Sequence, residues 1–240
     1  MSTNLFNEFS TYEDGLLKKY EQHALFTNIQ KLTDEEFLNV LTQYGEGISA
    51  NFVKFLETAL RQIQNEKAQE AVVRILRDEI PAVGPTHQQM RSAACERVGI
   101  NTIALVATKL TEATQNTIDS YYEFICNPNL NFKNRDLALT TFVRVIGESL
   151  VGVVYKTFTQ ELVRRFGVSE DEVEFYSFHW HHDEKGGTPF EGGEIGHTEY
   201  YDVAMMDLLK TEEDLEEAKR VGDIALEIRC KFQEQFVCSI

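Results

Sequence analysis

The sequence contains little of what interrupts a helix: 14 glycines and four prolines among 240 residues. Because helices tolerate proline and glycine least, their scarcity favours an all-α fold. Positive charge is also scarce, since 23 lysines and arginines against 39 aspartates and glutamates give a net charge of −16. Nucleic acids and anionic membrane surfaces are bound through clustered lysine and arginine side chains. We therefore expect no nucleic acid and no membrane among the partners.

The cysteines form no CxxC pair and no regular framework; they are Cys95, Cys126, Cys230 and Cys238. Such cysteines are typical of reduced thiols in the cytoplasm. The polar N-terminus lacks the apolar run of a signal peptide, and no stretch approaches the roughly 20 apolar residues of a membrane span. These absences predict a cytoplasmic protein. A nucleophilic role for Cys95 or Cys126 stays open, although neither has a histidine beside it in the sequence.

Apolar side chains recur at steps of three and four residues through most of the chain, as in amphipathic helices. After a helical segment over residues 1–24, helices are predicted at about 33–64, 67–79, 86–98, 101–126, 135–166, 169–183, 194–209 and 211–236. The glycine-rich stretch 184–193 predicts a loop. There is no repeat and no linker, so we expect one all-α domain over 1–240, a bundle of about seven to eight helices.

Glu79 and His87 flank a loop of two prolines and a glycine, residues 80–85. Such a loop cannot continue a helix and would fold the chain back, which would bring the two side chains to one point. A helix end followed by an ordinary histidine is the alternative, and it stays open.

Glu148 lies within the most apolar stretch of the long helix, residues 145–154. A buried carboxylate costs several kcal/mol unless it is paired, protonated or bound to a metal. Further along, His179 and Asp183 are four residues apart and share one helical face. Imidazole with carboxylate suits iron, manganese or zinc. An exposed Glu148 and a solvated His179–Asp183 pair remain the alternatives.

Glu194 and His197 form an ExxH step, which is half of the ferritin-like di-iron signature. Because the sequence has no second such step, a ferritin-like bundle is not expected. Taken together, the ionisable groups supply six ligands for two ions: Glu79, His87, Glu148, His179, Asp183 and His197.

At these residues the sequence resembles the haem-oxygenase-like di-iron oxidases and oxygenases, above all their CADD-like branch, which is related in fold to TenA and PqqC. The family pattern is an acid pair, a Gly/Pro loop and a histidine, then a glutamate on a later helix, then His-x3-Asp-x2-His. Residues 78–87, Glu148 and 179–183 match it in order. The resemblance covers about 25–235 and implies a haem-oxygenase-like helical bundle with these six residues as its ligands.

Two departures from the family pattern bear on the site. The last histidine would fall at Gly186, so the insertion 184–193 displaces this ligand to His197, with Glu194 or Glu199 as alternatives. The related CADD proteins consume a tyrosine placed directly before the second glutamate, where this chain has Gly147, so the same reaction is not expected. Tyr155, two turns after Glu148, is either a redox tyrosine or a core aromatic.

The resemblance implies an enzyme that holds two Fe(II) ions, with manganese as the alternative ion. It would use O2 as co-substrate and an external electron donor to oxidise a small organic substrate of amine, amino acid or fatty acid type. Arg91 and Arg144 are candidates to bind an anionic substrate, or else surface salt-bridge partners. The alternatives are a metal-independent TenA-like hydrolase with a cysteine nucleophile, a haem-binding protein that uses His23 in the first helix, and a non-catalytic interaction protein. Whether the chain forms a homodimer is open.

Overall fold

The structure is a computed structural model that describes residues 2–101, 107, 109–183 and 197–237, apart from the side chains of Ser2, His182, Asp183 and His197. Within these ranges the chain forms ten α-helices and no strand, against the seven to eight helices expected. They are α1 (Ser2–Glu21), α2 (Ala24–Asn28), α3 (34–60), α4 (Glu66–Glu79), α5 (His87–Arg97), α6 (Glu112–Cys126), α7 (Arg135–Phe166), α8 (Glu174–Asp183), α9 (His197–Leu208) and α10 (Glu212–Val237). The all-α prediction is confirmed.

Side-chain caps set several of the helix ends. Thr33 and Thr86 each form a capping box with the residue three positions on, and so begin α3 and α5. A threonine hydroxyl in this position accepts a hydrogen bond from an otherwise unpaired backbone N–H group. Within the stretch 101–126, expected as one helix, the described helix begins at Glu112, where Thr111 caps it by accepting from the backbone N–H of Thr114. Residues 102–106 and 108 lie outside the described residues. The insertion 184–193 lies outside the described residues.

Two long helices each contain one π-helical segment. In α3 the segment Gly45–Ser49 separates Asp34–Tyr44 from Ala50–Leu60, and in α7 the segment Val145–Ser149 separates Arg135–Arg144 from Leu150–Phe166. Such segments shift the register of a helix by one residue and are frequent at functional sites. Each of these segments carries one glutamate next to a glycine, and neither was predicted from the sequence.

Helix α7 lies at the centre of the bundle. Its length and composition would allow it to cross a membrane, which corrects the expectation that no stretch of the chain would do so. Its most apolar window is entirely buried inside the bundle, and α10, α8, α9 and α1 pack around it. The apolar character of α7 therefore matches a central core position, where all faces of a helix contact other helices.

A buried ion-pair network joins α1, α7 and α9. The guanidinium of Arg144 donates to both carboxylate oxygens of Glu13, at 2.8 and 3.0 Å, and to Asp202 at 2.7 Å. The hydroxyl of Ser149 also donates to Glu13, at 2.7 Å. Arg144 and Glu13 are fully buried, so each compensates the charge of the other in the core.

Candidate metal centre

Glu79 and His87 meet at the junction of α4 and α5. Glu79 is the last residue of α4, and His87 is the first residue of α5 after its cap, Thr86. The connecting loop turns at Gly84, whose φ of 100° suits glycine. The Nδ1 atom of His87 consequently lies 3.0 Å from Oε1 of Glu79, with both side chains about nine-tenths buried.

His179 approaches the same point from α8. Its Nε2 atom lies 3.1 Å from Nδ1 of His87, while its own Nδ1 lies 2.5 Å from the carbonyl oxygen of Phe175. A carbonyl oxygen only accepts, so Nδ1 of His179 carries the proton and Nε2 offers its lone pair toward His87. Metal-bound histidines are oriented in this way, with the second ring nitrogen donating to a backbone carbonyl.

The three donor atoms fit a metal ion better than a set of hydrogen bonds. The ligand atoms of Glu79, His87 and His179 all lie within 4.8 Å of one another. Two atoms bound about 2.1 Å from one ion at a right angle are about 3 Å apart, which is the spacing seen around His87. One N–H of His87 cannot point at both neighbours at once. Two imidazoles and one carboxylate suit iron, manganese or zinc.

The triad borders a cavity of about 290 Å³ whose wall also contains Glu148. Glu148 lies in the π-helical segment of α7 and is buried. Of the two possibilities left open by the sequence, a buried carboxylate is therefore correct and an exposed one is wrong. Four of the six predicted ligands thus share one cavity. The side chains of Asp183 and His197 lie outside the described residues, as does Glu194, while Glu199 is exposed.

The two arginines proposed for an anionic substrate have different surroundings. Arg91 lines the cavity and is paired with Glu46, Nη2 to Oε1 at 2.7 Å. Arg144 does not line the cavity, and its donors are bound by Glu13, Asp202 and the carbonyl of Thr198. Both are buried, so neither is a surface salt-bridge partner. Arg144 is corrected from a substrate candidate to a structural anchor.

Tyr155 is part of the core and also lines the cavity. Its hydroxyl is 2.8 Å from Oγ of Ser49, and its ring centroid is 5.2 Å from that of His179. Burial raises the pKa of Tyr155 well above its ordinary value, with the neighbouring Tyr44 adding to the shift. The side chain therefore stays a neutral phenol beside the triad.

The hydrolase and haem alternatives find no support at this site. Among the described residues no cysteine lines the cavity. Cys95 is buried, and its burial raises the pKa of the thiol, which is the opposite of an activated nucleophile. Cys126 is exposed. His23 does not lie in the first helix as expected: it caps α2, its Nδ1 accepting from the backbone N–H of Leu25 at 3.2 Å.

Sequence reasoning missed three charged residues of the core. Glu46 pairs with Arg91 at the cavity, Glu13 pairs with Arg144, and Arg229 is fully buried at the cavity wall. For Arg229 a signal was present: Ala225, Phe232 and Phe236 lie four residues before it and three and seven after it, on the apolar face of α10. A charged residue on such a face is either paired or functional.

Comparisons with known proteins bear on the fold and on the family of the chain. A crystal structure of a CADD-like protein of unknown function from Nostoc punctiforme superposes with a TM-score of 0.75 at 12% identity, covering 97% of each chain. A domain of unknown function with a heme oxygenase-like fold, from Shewanella denitrificans, gives a TM-score of 0.67 at 14% identity, covering 98% of this chain and 90% of that one. These likenesses confirm the haem-oxygenase-like fold. No curated protein matches the sequence. A family described as iron-containing redox enzyme matches residues 46–227.

Proposed function

The chain belongs to the family of iron-containing redox enzymes, and from that premise we propose that it is a non-haem di-iron oxidase or oxygenase that acts on a small organic substrate. The convergence of Glu79, His87 and His179 at a buried cavity carries the proposal. This donor set of two nitrogens and one oxygen suits iron, which is the metal of the family.

The proposal assigns the six predicted ligands to two ions. Glu79, His87 and His179 would hold the first ion, and Glu148 with Asp183 and His197 would hold the second. Glu148 is buried and borders the same cavity as the triad, and its carboxylate is a donor that suits iron. Manganese is the alternative ion, because the same oxygen and nitrogen donors suit it.

The protein's own contribution is to orient donors and to exclude water. Bound iron would supply O2 activation, with electrons from an external donor. The carbonyl of Phe175 keeps the proton on Nδ1 of His179, so that Nε2 remains available. Phe52, Ile146 and Val151 give the cavity apolar walls, which keep reactive species away from bulk water. The cavity volume suits a substrate of amine, amino acid or fatty acid size.

We further propose that the enzyme works in the cytoplasm on a small molecule. The three described cysteines, Cys95, Cys126 and Cys230, are free thiols, in keeping with a reducing cytoplasm. The net charge of −16 supports a small-molecule substrate over nucleic acid or a membrane surface. Sedimentation velocity would decide between a monomer and the homodimer left open by the sequence.

The test is anaerobic loading with Fe(II), removal of free metal, and measurement of bound iron before O2 is added. Wild type is expected to retain about two irons per chain and to give a transient visible absorption band with O2. His179→Ala should lose about half of the iron or more. His181→Ala is the matched control, because His181 is exposed on the same helix. A folded wild-type protein that takes up no iron would overturn the proposal.

A further inference from the structure

Arg229 is a fully buried arginine in the middle of α10. Its Nη2 donates to the carbonyl oxygen of Ile146 at 2.7 Å, within the π-helical segment of α7. Its guanidinium carbon lies 5.1 Å from the ring centre of Tyr44 and 6.0 Å from that of Tyr121. These contacts hold the guanidinium in place between aromatic rings, at the wall of the cavity.

Among the residues that the structure describes, the positive charge of Arg229 has no carboxylate partner, since no aspartate or glutamate lies within ion-pair distance of it. Its Nε and Nη1 atoms make no hydrogen bond of good geometry, and the neutral hydroxyl of Tyr44 is the side-chain group beside the guanidinium. This distinguishes it from the other buried arginines, since Arg91 is paired with Glu46 and Arg144 with Glu13. A buried charge without a counter-charge costs several kcal/mol, and aromatic faces offset only part of this cost.

A chain of aromatic contacts connects Arg229 to the metal centre. The ring centroid of Tyr155 is 5.2 Å from that of His179 and 5.8 Å from that of Tyr44, and Tyr44 contacts Arg229. Arg229, Glu148 and His179 all border the same cavity. A small molecule in the cavity therefore has both the triad and Arg229 among its neighbours.

From these contacts we propose that Arg229 binds the carboxylate of a small, otherwise apolar carboxylic acid. A carboxylate supplies one negative charge and accepts from more than one guanidinium N–H, which matches an arginine that lacks a counter-charge and whose Nε and Nη1 make no hydrogen bond of good geometry. A phosphate group carries more charge than this single cation offsets. The apolar side chains of the cavity, among them Ile48, Phe52 and Val151, would contact the rest of the acid. That this acid is the substrate rests on the proposed function; its binding does not.

The experiment measures acid binding without metal, so that a metal–carboxylate bond cannot contribute. The full chain, stripped with a chelator, is titrated calorimetrically with straight-chain acids from butanoate to dodecanoate and with the alcohols of the same lengths. Wild type should bind the best acid about tenfold or more tightly than its alcohol. Arg229→Gln should remove this preference while alcohol binding remains.

Two further variants keep the test decisive. Arg220→Gln is the matched control, because Arg220 lies on the same helix with its side chain half exposed, and the acid preference should persist. If Arg229→Gln does not fold, Arg229→Lys keeps the charge with fewer donors, and the acid preference should fall several-fold. Equal binding of acid and alcohol by wild type, or an acid preference retained in folded Arg229→Gln or Arg229→Lys, would overturn the proposal.

The outcome separates this proposal from the proposed function. Acid preference at Arg229 in a chain that takes up no iron would leave the binding site standing and remove the oxidase. Iron uptake without acid preference would leave the oxidase standing and remove the carboxylate site at Arg229. A crystal structure grown with the best acid that shows only water at Arg229 would also count against the carboxylate site.

Discussion

The guanidinium of Arg144 donates a 2.8 Å hydrogen bond to the backbone carbonyl of Thr198, the second residue of α9. The same guanidinium binds Glu13 on α1 and Asp202 one turn further along α9. Because His197 directly precedes Thr198, these contacts fix the place at which the helix carrying this predicted ligand begins. Arg144 therefore anchors the first turn of α9 from outside the cavity.

Arg144→Met is expected to lower the free energy of unfolding by about 3–5 kcal/mol, because it leaves Glu13 charged and buried without its partner. Urea unfolding at neutral pH measures this. Arg164→Met is the control: Arg164 is half exposed in its pair with Glu161, and its loss should cost under about 1 kcal/mol. Equal losses in the two variants would contradict the anchoring role.

Gly147→Ala is expected to destabilise the protein by about 1–3 kcal/mol. A Cβ at this position would stand 2.5 Å from Cε2 of Phe52, so the ring would have to move at the cavity wall. Gly15→Ala is the control, because nothing lies within 4 Å of the added carbon and alanine favours the helix. Gly15→Ala should raise the thermal midpoint slightly. A Gly147→Ala variant as stable as wild type would show that the Phe52 ring can move aside without cost.

The close approach of Phe52 to Gly147 explains one of the two departures from the family pattern. Gly147 stands where the resemblance to CADD-like proteins would place a tyrosine, and an added methyl group there would meet the Phe52 ring. The fold class and the meeting of Glu79 with His87 were predictable, since caps and the Pro/Gly loop are local signals. The two π-helical segments were not, because one residue of register depends on tertiary contacts between helices.

Buried charges set the second limit of prediction from sequence. Helical spacing places Glu13 between Phe9 and Leu16 on one apolar face of α1, but spacing alone does not name its partner 131 residues away. Only the packed bundle brings Arg144 to it. The pattern of apolar positions in a sequence therefore identifies core faces, whereas the pairing of charges on those faces requires the tertiary structure.

The free energy of unfolding should fall as the pH falls, and the ion pairs of Glu161 should account for part of this loss. Burial alone would raise the pKa of Glu161, but hydrogen bonds from Arg164 and Arg165 lower it below its ordinary value. A lowered folded-state pKa gives stability that is present above the unfolded pKa of about 4.3 and is lost as the pH falls through the folded value. Glu161→Gln should therefore be less stable than wild type at pH 7, with the gap closing as the pH falls below about 4.

Urea unfolding at pH 7 and below about pH 4 measures the difference in stability between wild type and Glu161→Gln. Glu57→Gln changes the net charge equally but removes only an exposed pair with Arg61, so its loss at pH 7 should be smaller. A gap between wild type and Glu161→Gln that stays constant down to low pH would contradict the ion-pair origin.

Thiol reactivity should separate the cysteines and test the hydrolase alternative once more. Exposed Cys126 should react with iodoacetamide in the native protein, whereas Cys95 should react only on unfolding, because burial raises its pKa and excludes the reagent. Mass spectrometry of peptides after timed labelling measures both rates. Fast native labelling of Cys95 would return it to consideration as a nucleophile.

Metal binding should stabilise the fold in proportion to its affinity. A ligand at about 100 times its Kd adds about 2.7 kcal/mol to the free energy of unfolding. Anaerobic Fe(II), or Mn(II) as the air-stable substitute, is therefore expected to raise the thermal midpoint of wild type, and excess chelator should reverse the rise. In Glu79→Gln the rise should shrink, since Glu79 supplies the carboxylate of the triad, 3.0 Å from His87. Glu70→Gln is the matched control on α4, where Glu70 pairs with Arg74 at the surface. If the metal raises the thermal midpoint of wild type and Glu79→Gln equally, the ion binds elsewhere. If the triad binds the ion, Glu70→Gln should show the same rise as wild type and Glu79→Gln a smaller one.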